Sequence, residues 1–224
     1  MQGRQRFQGQ IAGVGSTSGT RVVVGRWTTS PFGAFADVML EQADGHRVLL
    51  APTEQVAEFV AGTYMFDEVV VTPVSAAATL GRAGTPEGSR WDVRAGDLAL
   101  RFTVGGRAPL GRLLRAVPGR LADSTAFATL ADPVARVVLR GVRTRGQARS
   151  GRREWYAAHD LHHVTSLTGR WRGGDLGMLA PVDPPARFGF SSTPRSPGVT
   201  AVVTTVEVLP GVRGVAGGAP PAGV

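Results

Sequence analysis

The chain has 224 residues, enough for one sizeable hydrophobic core or two small ones, and its 25 basic and 17 acidic side chains give a formal charge of +8. Every basic residue is arginine, and neither lysine nor cysteine occurs. These residues therefore supply no Schiff-base lysine, lysine general base, disulfide or cysteine nucleophile. Arg4, Arg6 and Arg213 lie in termini without an acid, so the body carries only +5, which still favours anions such as acidic small molecules or nucleic acid.

In chain order, residues 1–20 are rich in Gly, Gln and Ser and read as a flexible tail. RVVVGRW (21–27) is β-branched strand material. AFADVMLEQ (34–42) and RVLLAP (47–52) form a hairpin, with Asp44–Gly45 at its turn. TEQVAEFVAGTY (53–64) is a helix: Thr53 caps it, Glu54 suits its first turn, and Val56, Phe59, Val60 and Thr63 share a face.

DEVVVTPVSA (67–76) reads as a strand ending near Pro73, and GRAGTPEGS (81–89) as a surface loop. WDVRAGDLALRFTVGG (91–106) holds two short strands, with Leu98, Leu100 and Phe102 on one face. LGRLLRAV (110–117) is a short helix with Arg112 and Arg115 on its wet side. LADPVARVVLRG (130–141) fits helix or strand equally, while VTAVVTTVEVL (199–209) has the composition of a central strand. Residues 210–224, rich in Gly and Pro, read as a second flexible tail around a single domain at 21–209.

The expected fold is α+β and β-rich: a mostly antiparallel sheet or partly closed barrel with two or three short helices. No run of 18 apolar residues occurs, so the expectation is a cytoplasmic protein without integral membrane association. GVGSTSG (13–19) lacks the correctly spaced third glycine and the strand–helix context of a dinucleotide loop, and a P-loop needs a lysine. The residues name no cofactor.

Chemistry concentrates in REWYAAHDLHH (153–163), which carries three of the four histidines. As a strand it places Glu154, Tyr156, Ala158, Asp160 and His162 on one face, with Trp155, Ala157, His159, Leu161 and His163 on the other. As a helix it brings His159 and His163 to the i,i+4 spacing of two zinc ligands, but Asp160 stands where metalloproteases carry Glu. The candidate catalytic residues are His159, Asp160, His162 and His163: an imidazole as acid or base and Asp160 as its orienter.

Upstream, RGVRTRGQARSGRR (140–153) supplies arginine forks suited to carboxylate or phosphate. Arg143, Arg145 and Arg153, with Trp155 and Tyr156, are the candidate ligand contacts. Ser191 is a polar contact in FGFSSTP (188–194), where Phe188 and Phe190 suit a pocket mouth. The leading functional expectation is a cleft for a small anionic or amphipathic molecule, with acid–base turnover in reach. Nucleic-acid binding by 140–153, a metal-dependent hydrolase and a homo-oligomer are the alternatives.

Overall fold

The computed structural model describes residues 3–81, 84–118, 145–147, 152–189 and 191–208. Among these, the chain order is β1 (Gly3–Ser16), β2 (Arg21–Thr29), β3 (Phe35–Glu41), β4 (Arg47–Ala51), α1 (Glu54–Ala61), β5 (Glu68–Val71) and β6 (Val74–Thr79). It continues through β7 (Arg90–Ala95), β8 (Leu98–Arg107), α2 (Pro109–Arg115), β9 (Arg145–Gln147), β10 (Arg152–Trp171), β11 (Gly174–Asp175), β12 (Leu179–Ala180) and β13 (Gly198–Val208). The arrangement is β-rich with two short helices, and neither helix is long and apolar enough to cross a membrane.

All the strands belong to one sheet, whose main path is β5-β4-β3-β2-β1-β13-β10-β8-β7-β6. Its ladders are antiparallel except β4–β5, which run parallel because α1 carries the chain back between them. The sheet is mixed and not closed. Its end strands β5 and β6 are separated in sequence only by Thr72 and Pro73. Val22, Val38 and Leu40 from one half pack in the same buried cluster as Trp91, Leu100 and Phe102 from the other, so the sheet folds over this inner face. Arg26 Nε donates to Ala76 O at 3.1 Å, tying β2 to β6 across the fold.

On the outer face, α1 buries Val56, Ala57 and Val60 against Leu49 and Ala51. Full burial of a valine side chain stabilises by about 1.5–3 kcal/mol, which fixes so short a helix to the sheet. Thr53 Oγ1 accepts the Val56 N–H at 3.3 Å, as the N-cap reading expects, while Glu54 and Glu58 face solvent. The other end is closed by Arg152: Nη1 donates to Phe59 O and Thr63 Oγ1 at 2.6 Å, and the guanidinium lies 4.9 Å from the Phe59 ring centre. A cation there complements the helix dipole. Beside α1, residues 182–188 lay Val182, Ala186 and Phe188 over Val23.

Two sequence expectations change. Residues 3–16 are no flexible tail: they form β1, paired with β2 and β13. Several glycines in this segment mark close approach rather than looseness. A Cβ on Gly13 would overlap the side chain of Thr193, which packs over β1 at that point. Nor is 67–76 one strand, since its halves β5 and β6 form opposite edges of the sheet. The β3–β4 hairpin, with Gly45 at φ 90°, and the central position of β13 match expectation. The second tail at 210–224 and the 130–141 segment lie outside the described residues.

Candidate functional site

The segment that dominates the sequence is the first half of β10, paired with β13 along its length. Its register runs evenly to Ala158↔Val202, then resumes at Asp160↔Ala201, leaving His159 as the extra residue of a β-bulge. A bulge reverses the alternation beyond it. Glu154, Tyr156, Ala158 and Leu161 therefore line a cavity on the outer face, whereas Asp160 and His162 line a second on the inner face. The unbroken alternation expected from sequence, with Glu154 and His162 on one side, does not hold.

The helical alternative for this segment does not occur either, and with it goes the i,i+4 pairing of His159 and His163. His159 occupies the bulge, and His163 is exposed. Among the described residues, no three His, Asp or Glu side chains converge as a metal site would require.

The outer cavity has a volume of about 180 Å³ and is floored by β1, β2, β3, β13 and β10, with α1, α2, Ala186, Phe188 and residues 191–194 around it. Its walls are mainly apolar, including Ile11, Val23, Val202 and Leu161, with aromatic rings at Phe7, Trp27, Phe35 and Phe59. Phe7 lies 5.7 Å from Trp27 and 5.2 Å from Phe59 between ring centres, so these rings pack as one cluster. Leu110 and Leu114, one turn apart on α2, close another side. That helix is held against β10 by the Ala108 N–H to Leu161 O bond of 2.9 Å.

Two carboxyl groups interrupt the apolar lining. Glu154 is 1% exposed; its Oε1 accepts the Tyr64 O–H at 2.6 Å, and the Tyr64 oxygen lies 2.6 Å from the Tyr156 hydroxyl. Burial pushes the Glu154 carboxyl up to about 7, against the lowering effect of the two tyrosine hydrogen bonds and of Arg152. The same burial, then the Glu154 charge, drives both phenols well above their ordinary range. Asp37 Oδ1 accepts the Trp27 Nε1–H at 2.8 Å, and burial raises this carboxyl to about 6 despite that bond. Gly25 makes the contact sterically open, because a Cβ there would overlap Asp37 Oδ1.

The cavity also holds buried polar atoms without a hydrogen-bond partner among the described residues: Glu154 Oε2, Thr204 Oγ1, Ser192 Oγ and Thr193 Oγ1. Desolvated polar groups are normally satisfied, and each one left open costs about 1–3 kcal/mol. All four line the same mainly apolar cavity. Chemically, a carboxyl poised near neutrality beside two phenols can also exchange a proton with whatever occupies the space.

The inner cavity, about 150 Å³, is organised differently. Arg107 Nε donates to Asp160 Oδ1 at 2.8 Å and Oδ2 at 3.1 Å, Arg115 Nη1 lies 3.8 Å from Oδ2, and His162 Nε2 lies 3.4 Å from the same oxygen. His162 is buried, with Nδ1 3.2 Å from Gly105 O. Burial works to raise the Asp160 pKa, but hydrogen bonds from Arg107 and the Leu161 N–H outweigh it and hold the carboxyl below its ordinary value. Asp160 is thus an ionised partner of arginine, a structural ion pair beside the imidazole.

Of the predicted ligand contacts, Tyr156 and Ser191 line the outer cavity, joined by Phe188. Trp155 is buried and lies 5.7 Å from the Arg4 guanidinium, and Arg153 is exposed. Arg145 belongs to β9, and Arg143 and Phe190 lie outside the described residues. Sequence reasoning passed over Asp37, Tyr64 and the Phe7–Trp27 cluster. The signal for Asp37 is a lone acid at an in-pointing position of an apolar strand, AFADVML. Nothing in sequence joins Tyr64 to Glu154, 90 residues away. No protein-family model and no curated protein matches the chain.

Proposed function

We propose that this protein binds a small, mainly apolar molecule with a polar end in the outer cavity. The observation that carries the reading is Glu154 Oε2, without a hydrogen-bond partner among the described residues and buried at the floor of a mainly apolar space of about 180 Å³. An apolar protein cavity of about 150 Å³ accommodates benzene, so this volume suits a single ring or a short aliphatic chain with one head group. Apolar walls around a few convergent polar atoms and carboxyls of raised pKa are the general form of a small-molecule site.

Among the described residues, Arg153, His159, His162 and His163 do not line this cavity. An amphipathic rather than an anionic ligand is the reading they leave. The test is a benzyl alcohol titration followed by NMR at the Trp27 indole N–H, assigned with a Trp27→Phe variant. Saturable shifts at Trp27, abolished by the cavity-filling Ala158→Phe substitution, are expected. An unmoved Trp27 signal at millimolar ligand, or unchanged binding in the filled variant, would refute the reading.

A further inference from the structure

We propose that the outer cavity selects a hydrophobic amine, with Glu154 taking the ammonium group and the aromatic cluster taking the body of the molecule. The inference rests on the binding reading above and assigns its head group.

The first argument is an inventory of hydrogen-bonding capacity. Tyr64 donates to Glu154 Oε1, and the Tyr156 hydroxyl, 2.6 Å from the Tyr64 oxygen, is a hydrogen-bond partner of both Tyr64 and Glu154, so the two phenol protons are shared within this trio. The Trp27 N–H is already committed to Asp37. The strong donors in the cavity are therefore consumed internally, while Glu154 Oε2 is left as an open acceptor. Thr204, Ser192 and Thr193 add hydroxyl oxygens that accept as readily as they donate. A ligand that brings donors satisfies this set; one that brings only acceptors does not.

Charge points the same way. Among the described residues the lining contains two acids, Asp37 and Glu154, and no arginine or histidine. The nearest cation acting on Glu154 is Arg152, whose guanidinium is committed to Phe59 O and Thr63 Oγ1 at the end of α1. Among the described residues the ionisable groups around Glu154 are thus Tyr64, Tyr156, Asp37 and Arg152, and only the last is positive. A carboxylate ligand would enter beside two acids, with no counter-ion among the described lining residues. An ammonium group meets a carboxylate whose desolvation is already part of the folded state, so binding adds only the desolvation of the amine. The faces of Phe7, Trp27 and Phe35 add cation–π attraction and apolar contact.

Proton linkage gives this proposal a signature. Below the pKa of Glu154, a bound cation must displace the carboxyl proton, so affinity rises by up to tenfold per pH unit and levels off once the group is ionised. A neutral ligand of the same shape shows no such rise.

The experiment compares benzylamine, benzyl alcohol and benzoate on the full chain by calorimetry and by NMR at Trp27. At about pH 8, benzylamine is expected to bind at least about tenfold more tightly than benzyl alcohol, as a charge-assisted bond provides, with benzoate the weakest. Its affinity should climb from about pH 5 to about pH 7 while that of benzyl alcohol stays level. Glu154→Gln should bring the two to parity, and if that variant does not fold, the pH profile of the natural chain decides alone. Equal binding of amine and alcohol, a level amine profile, or preference for benzoate overturns the amine assignment and leaves the cavity reading intact. Failure of all three probes overturns both.

Discussion

Replacing Glu154 by Gln keeps the shape of the side chain and removes its charge, and the consequence for stability follows from its surroundings. The carboxyl has an ordinary pKa of 4.5 and is raised by burial to about 7 in the folded protein. Between those values the native state holds a proton that the unfolded chain releases, so stability falls as pH rises through this window and levels off above it. At 1.36 kcal/mol per pH unit the loss totals about 3 kcal/mol. Glutamine titrates in neither state, so the variant should match the natural protein near pH 4 and exceed it by about 3 kcal/mol at pH 8. For a domain of this size that is a rise in Tm of roughly 6–12 °C. Urea unfolding at a series of pH values measures the difference directly. The titration of Asp37 is common to both proteins and cancels in the comparison. A stability difference that does not change between pH 4 and pH 8 would refute the reasoning, because it would place Glu154 in contact with water.

Other consequences are equally specific. Asp37→Asn should remove a similar slope at lower pH, between the ordinary 3.8 and about 6, and the same urea series detects it. Glu41 is fully buried, 3.0 Å from Arg21 Nη2, and accepts the Arg187 N–H at 2.7 Å. Glu41→Ala strands a buried guanidinium and should cost about 3–5 kcal/mol in denaturant unfolding. Arg152→Ala removes the cation and the Phe59 contact at the end of α1, and should cost about 2 kcal/mol. Hydrogen exchange of the α1 amides should locate that loss in the helix. Gly13→Ala should expel Thr193 from β1, read as faster exchange and proteolysis across residues 186–194 with little change elsewhere.

Sequence made the local elements legible where periodicity and end signals agree. Thr53, Glu54 and the Val56–Phe59–Val60 spacing define α1, Asp44–Gly45 defines the β3–β4 turn, and the β-branched run at 199–209 marks the centre of the sheet. It failed at β1 because Gly and Gln look like linker residues, whereas Gly13 is a packing requirement set by a residue 180 positions away. The site was half legible. Glu154 and Tyr156 stand on one strand face by alternation, but the bulge at His159 that separates them from Asp160 and His162 has no local signature. Tyr64, Asp37 and Trp27 reach the same cavity through long-range pairing, which no spacing rule encodes. The histidine cluster drew attention by composition, yet the buried acid beside it carries the more unusual environment.

The protonation of Glu154 itself is the most direct test. Following the side-chain carboxyl carbons by ¹³C NMR against pH, without ligand and with saturating benzylamine, should show one glutamate titrating near 7 and moving lower when the amine is bound. A Glu154 resonance that titrates at the ordinary value of 4.5 and ignores benzylamine would contradict the account.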